Sequence, residues 1–153
     1  MAPTDRTLVV DERAPGAAGG PDRAHRLVPP AGVATGALVF LTVVHLVDPN
    51  QPGNYPTCPW LAITGTYCPG CGSLRATNAL THGHLREALA RNPLAVAAYA
   101  VLVVVFATWV SRAWTGRSKT VTLPSWAPYA LLVVVLAFWV LRNIPGWTWL
   151  SPA

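Results

Sequence analysis

The sequence predicts an all-α membrane protein with three transmembrane helices and a short amphipathic interfacial helix. Three observations carry that expectation. The apolar residues, 52% of 153, are gathered into three long runs, whereas a soluble core would scatter them at helix or strand period. Charged side chains make up only 11%, about half the share of an ordinary soluble domain. Arg, Lys and Trp cluster at the ends of the runs, where headgroups and water begin. The net charge of +5 and pI near 9.6 therefore point to membrane topology and not to nucleic acid.

Residues 1–28 are rich in Ala, Pro, Gly, Asp and Arg, and four acidic groups offset Arg6, Arg13, Arg23 and Arg26. Such a stretch buries too little apolar surface to offset its ordering entropy, so a disordered tail is expected, followed by a membrane domain over residues 29–153. Ala31–Val47 has no charged side chain, and its 17 residues span about 26 Å as helix, enough to cross hydrocarbon. The Asp48-Pro49-Asn50-Gln51-Pro52-Gly53 that follows lacks a small-x-small cleavage pattern, so the run reads as a retained anchor and not a signal peptide. His45, near the exit of this helix, reads as an interfacial imidazole.

Residues 72–91 repeat Leu74, Thr77, Thr81, Leu85 and Leu89 at three- and four-residue spacing. They are too polar to span and are expected as an interfacial helix, broken near Gly83. Asn92-Pro93 is a helix start, with Asn as N-cap and Pro at the first helical position. It opens the second span, residues 93–110, flanked by Trp109 and Trp114. Residues 126–144 form the third span, bounded by Trp126, Tyr129 and Trp139, with Arg142 expected to snorkel to headgroups. Pro145-Gly146 ends it, and Trp147 and Trp149 are expected in the interface. With three spans, the side holding the tail and the 111–125 loop carries seven Lys and Arg, against four on the other. The N-terminus is then cytoplasmic and the 48–92 loop extracytoplasmic.

That loop carries all three cysteines, as Cys58-x9-Cys68-x2-Cys71, with Pro69 and Gly70 inside the close pair and Gly72 after it. Three chemistries fit. Two thiolates two residues apart grip Zn²⁺ in knuckle sites, with Cys58 as a third ligand and His82 or His84 as a fourth, although the usual second Cys-x2-Cys is missing. A Cys-x-x-Cys pair before a helix also suits thiol-disulfide exchange by Cys68 and Cys71, with Arg75 one turn into the helix, but no βαβ pattern surrounds it. Outside the cytoplasm, two of the three cysteines could instead pin the loop as a disulfide, leaving one thiol over. Arg75 reads chiefly as a structural group bonding loop carbonyls. Ser-His-Asp sets, paired carboxylates and phosphate loops do not occur, and Asp48 and Glu87 are the only acids after the tail, which leaves acid-base hydrolysis poorly supplied.

The run Cys68-Pro69-Gly70-Cys71-Gly72-Ser73-Leu74-Arg75-Ala76, followed by Gly83, Ala88 and Asn92-Pro93, resembles domain of unknown function 2752. That family of small bacterial membrane proteins carries C-P-x-C-G-x-T-R-A, then a glycine and an N-P. The resemblance covers roughly residues 58–110 and departs at Leu74, where Thr is usual. It implies an integral membrane protein and brings no established activity. The motif residues Cys58, Cys68, Pro69, Gly70, Cys71, Gly72, Arg75, Asn92 and Pro93 are therefore expected to form a binding or structural element. Lipid, a membrane partner or a second copy of the chain are the expected company. No cofactor is required, with Zn the one candidate, and an enzyme is the less favoured class.

Overall fold

The computed structural model describes residues 22–116 and 124–146. Among them the chain is all-helical: α1 (Arg23–Leu46), α2 (Pro59–Thr64), α3 (Ser73–Thr81), α4 (Leu85–Arg91), α5 (Pro93–Thr115) and α6 (Ala127–Arg142). Helices α1 and α5 are long and apolar enough to cross a membrane, and α6 is a shorter apolar helix of 16 residues. Leu38, Val39 and Phe40 on α1, Val101–Val105 on α5 and Leu131–Val134 on α6 all face outward. Helices apolar on their outer faces suit lipid and would be unfavourable in water.

Helix α1 begins eight residues before Ala31. Its first turns, residues 23–28, hold against the end of α5: the Arg23 guanidinium lies 4.5 Å from the Trp114 ring centroid, and Arg26 Nε donates to the Ala113 carbonyl at 3.3 Å. These contacts fix α1 and α5 antiparallel. Pro29 and Pro30 lie within α1, each without an N–H to give the preceding turn. The disordered tail expected over residues 1–28 is corrected at its end, because residues 23–28 are helical; residues 1–21, the loop cations Arg117 and Lys119, and Trp147 and Trp149 lie outside the described residues.

The segment expected as an interfacial helix is a helical hairpin broken where the sequence indicates. Gly83, at φ +79°, ends α3: its N–H bonds the Leu80 carbonyl at 3.0 Å, and that of His84 bonds Ala79 at 2.8 Å. This is a Schellman closure, which needs a left-handed residue. Of the expected stripe Thr77 is buried, but Leu85 and Leu89 are exposed, and Ala76, Ala79 and Ala88 form the core with Leu80 and Val96 against it. Small side chains let the two short helices approach closely, which larger ones at the same spacing would prevent. The hairpin is tied to α1 by Asn78 Nδ2, which donates to the Val44 carbonyl at 2.8 Å, and to α5 by the Thr77 and Tyr99 hydroxyls at 2.8 Å. His45 stacks on His82 at 4.2 Å between centroids.

Candidate functional site: a three-thiol cluster

Local turns gather the cysteines. Pro69 favours a tight turn after Cys68, and the Cys71 N–H bonds the Cys68 carbonyl at 3.1 Å. A second turn follows at once: the Ser73 N–H bonds the Gly70 carbonyl at 3.0 Å, with Gly72 at φ +82° where a side chain would be strained. The chain then enters α3. Cys58 arrives separately, immediately before α2, whose Pro59 opens the helix.

The three sulfurs converge. Cys58 Sγ lies 3.6 Å from Cys68 Sγ, which lies 3.1 Å from Cys71 Sγ, and all three fall within 4.8 Å of one another. Both of the shorter separations exceed the roughly 2.05 Å of a disulfide, and the cysteines are free thiols in this structure. Their environments differ. The Leu61 N–H facing its sulfur holds the Cys58 thiol below the ordinary range, against a smaller cost of burial. Burial pushes the Cys71 thiol up to about 12, and the neighbouring Cys68 thiol adds to the shift.

Three side chains outside the turns hold this arrangement. Asn92 caps α5, its Oδ1 accepting from the Ala95 N–H at 3.0 Å. Its Nδ2 reaches back to the Pro69 carbonyl at 3.0 Å, the Cys71 carbonyl at 3.1 Å and Ser73 Oγ at 3.3 Å. Asn143 grips the peptide before the motif: its Oδ1 accepts from the Tyr67 N–H at 2.8 Å and its Nδ2 donates to the Tyr67 carbonyl at 2.9 Å. Arg142 does not snorkel. It is 2% exposed, and its terminal nitrogen donates to the Cys68 carbonyl at 3.2 Å and the Pro69 carbonyl at 3.4 Å. The Tyr67 and Phe138 rings lie near its guanidinium, and its remaining two nitrogens make no hydrogen bond. A water-facing end would have satisfied that group; here the loop carbonyls and the sulfurs of Cys71 and Cys68 replace headgroups as its surroundings.

The sequence-expected residues divide accordingly. Cys58, Cys68 and Cys71 come together, Pro69, Gly70 and Gly72 shape their turns, and Asn92 with Pro93 starts α5 while bracing the loop. His82 does not join the sulfurs: its Nδ1 lies 2.8 Å from the Asn78 carbonyl and its ring stacks on His45. His84 instead faces Glu87 at 3.7 Å. Arg75 lines an open cleft of about 560 Å³ shared with the three cysteines. The sequence gives no sign of the roles of Arg142 and Asn143, because an Arg-Asn pair closing an apolar run looks the same as an interfacial anchor.

The cysteine turns, the hairpin and the first part of α5 are one continuous unit, and a family is recognised over it. Residues 58–106 match the family described as Protein of unknown function (DUF2752). The match covers the thiols and Asn92 but stops short of Arg142 and Asn143. No curated protein and no solved structure matches the chain.

Proposed function

We propose that this protein is a three-span component of the bacterial cell membrane whose cysteine loop binds a thiophilic divalent metal ion, Zn²⁺ being the first candidate. Helices α1, α5 and α6 are the spans, following a tail that ends before Arg23. The N-terminus is cytoplasmic and the loop extracytoplasmic, in keeping with the excess of Lys and Arg on the tail side. A membrane-impermeant maleimide applied to intact cells is expected to label Cys58; labelling only after lysis reverses the orientation.

The convergence of three sulfurs within 4.8 Å carries the metal assignment. Thiolates on one Zn²⁺ at about 2.3 Å lie about 3.8 Å apart around a tetrahedron, so the cluster needs only a small spread to close on an ion. Charge supports it as well. Three thiolates and a divalent ion sum to minus one, and the buried Arg142 guanidinium beside them brings the site to neutrality, which a low-dielectric setting favours. Pro69, Gly70, Gly72, Asn92 and Pro93 position the ligands, with Arg75 at the cleft.

Full-length protein in detergent is expected to bind one Zn²⁺ per chain, and Co²⁺ in its place to give thiolate-to-metal charge-transfer absorption. Cys68→Ser, which removes the central sulfur, should abolish both. Zn²⁺ binding unchanged by Cys58→Ser, Cys68→Ser and Cys71→Ser alike would eliminate the site.

The 3.1 Å separation of Cys68 and Cys71 favours one second reading, thiol-disulfide exchange. In that reaction the two thiols form a disulfide while an external disulfide takes up two electrons and two protons to become two thiols. A reversible Cys68–Cys71 couple in metal-free protein supports it; failure of that pair to oxidise with excess disulfide removes it.

A further inference from the structure

The metal site inferred above supplies three protein ligands, and the surroundings of a fourth position are defined by the cleft. Among the described residues only Cys58, Cys68 and Cys71 bring His, Cys, Asp or Glu ligand atoms together in such a group. His82 and His84 are engaged elsewhere, with the Asn78 carbonyl and Glu87. All three cysteines line the same open cleft, so a metal among their sulfurs lies at its wall. Closed structural sites take four protein ligands, whereas three ligands and an accessible fourth position characterise sites that exchange a ligand.

The cleft is open, with a volume of about 560 Å³. Tyr55, Leu61, Tyr67 and Arg75 line it beside the three cysteines. A metal already held by three sulfurs is soft and prefers a fourth sulfur to a hard oxygen anion.

We propose that the metal held by Cys58, Cys68 and Cys71 keeps its fourth coordination position open to the cleft, and that this position takes the thiolate of a small-molecule thiol. The thiol binds as its conjugate base and releases its proton to solvent, and no change of oxidation state is involved. This inference rests on the metal site itself.

The test uses full-length protein in detergent, reduced with a phosphine, freed of small thiols and loaded with one equivalent of Co²⁺. Addition of 2-mercaptoethanol should raise the thiolate-to-metal charge-transfer absorption by about one third, the step from three sulfurs to four, and shift the visible bands. Imidazole at the same concentration should leave that charge-transfer absorption unchanged. Three-sulfur absorption that stays constant at saturating thiol overturns the open position and leaves the metal site standing. The open position is equally overturned if the loaded protein shows a nitrogen ligand that His82→Ala or His84→Ala removes. Absence of any thiolate-to-metal absorption overturns the metal site and this proposal together.

Discussion

Replacing Asn92 by Asp separates two roles that one side chain performs. An aspartate keeps the oxygen that caps α5 and is at least as good at an N-cap as asparagine. What it loses is Nδ2, which donates to the carbonyls of Pro69 and Cys71 at 3.0 and 3.1 Å. Asn92 is 1% exposed, so water does not reach in to replace it. The Cys71 carbonyl left without a donor costs about 1–3 kcal/mol, the Pro69 carbonyl keeps only the longer bond from Arg142 at 3.4 Å, and a carboxylate facing both carbonyls adds repulsion. A net cost near 3 kcal/mol corresponds to a rise of roughly a hundredfold in the opening equilibrium of the cysteine turns. Cys71 is buried, and its alkylation in native protein proceeds through such local opening. Asn92→Asp should therefore accelerate iodoacetamide labelling of Cys71 by about that factor, followed by mass spectrometry at fixed pH, while helix content by circular dichroism stays constant. If Asn92→Asp labels at the wild-type rate and Asn92→Ala alone accelerates, Asn92 acts only as a cap and the bracing role is wrong.

The thiols should also titrate apart. The Cys58 pKa is lowered, so its thiolate is populated at lower pH, and as pH rises alkylation should reach Cys58 first and Cys71, with its pKa pushed up to about 12, last; equal rates for the two across pH 6 to about 9 contradict the assigned environments. Arg142→Met removes a buried charge beside the sulfurs and should weaken Zn²⁺ binding by roughly tenfold in a chelator competition, with Arg142→Lys recovering part of the loss; unchanged affinity in Arg142→Met would show that its charge does not serve the metal. Gly83→Ala meets open space but forces a side chain onto φ +79°, at a cost of about 1–2 kcal/mol, seen as faster amide exchange across the α3–α4 hairpin.

Composition and punctuation make much of the architecture legible in the chain itself. The apolar runs announce α1, α5 and α6, Asn92-Pro93 marks the start of α5, and Gly83 marks the break between α3 and α4. The cysteine spacing identifies the site but not its shape, because whether Cys58 meets a pair ten residues later depends on the path of α2. The hairpin's buried face escapes for a related reason. Hydrophobic periodicity weights Leu over Ala, while close helix approach rewards small side chains, so Ala76, Ala79 and Ala88 go inside. Arg142 is the largest departure. Its role depends on tertiary placement against residues more than seventy positions away, which no local pattern encodes.

The paired amide contact between Asn143 and Tyr67 fastens the end of α6 to the residue that precedes Cys68. Helix α6 has 16 residues and is about 24 Å long, shorter than a hydrocarbon core of about 30 Å. Placed across a thicker bilayer, as in the proposed topology, so short a helix is pulled inward or thins the lipid around it. Through Asn143 and Arg142, that strain has a direct line to the peptide carrying Cys68, so the spacing of the sulfurs would follow the thickness of the surrounding membrane. In vesicles of increasing acyl-chain length, the thiol cluster becomes a gauge of how deeply α6 sits.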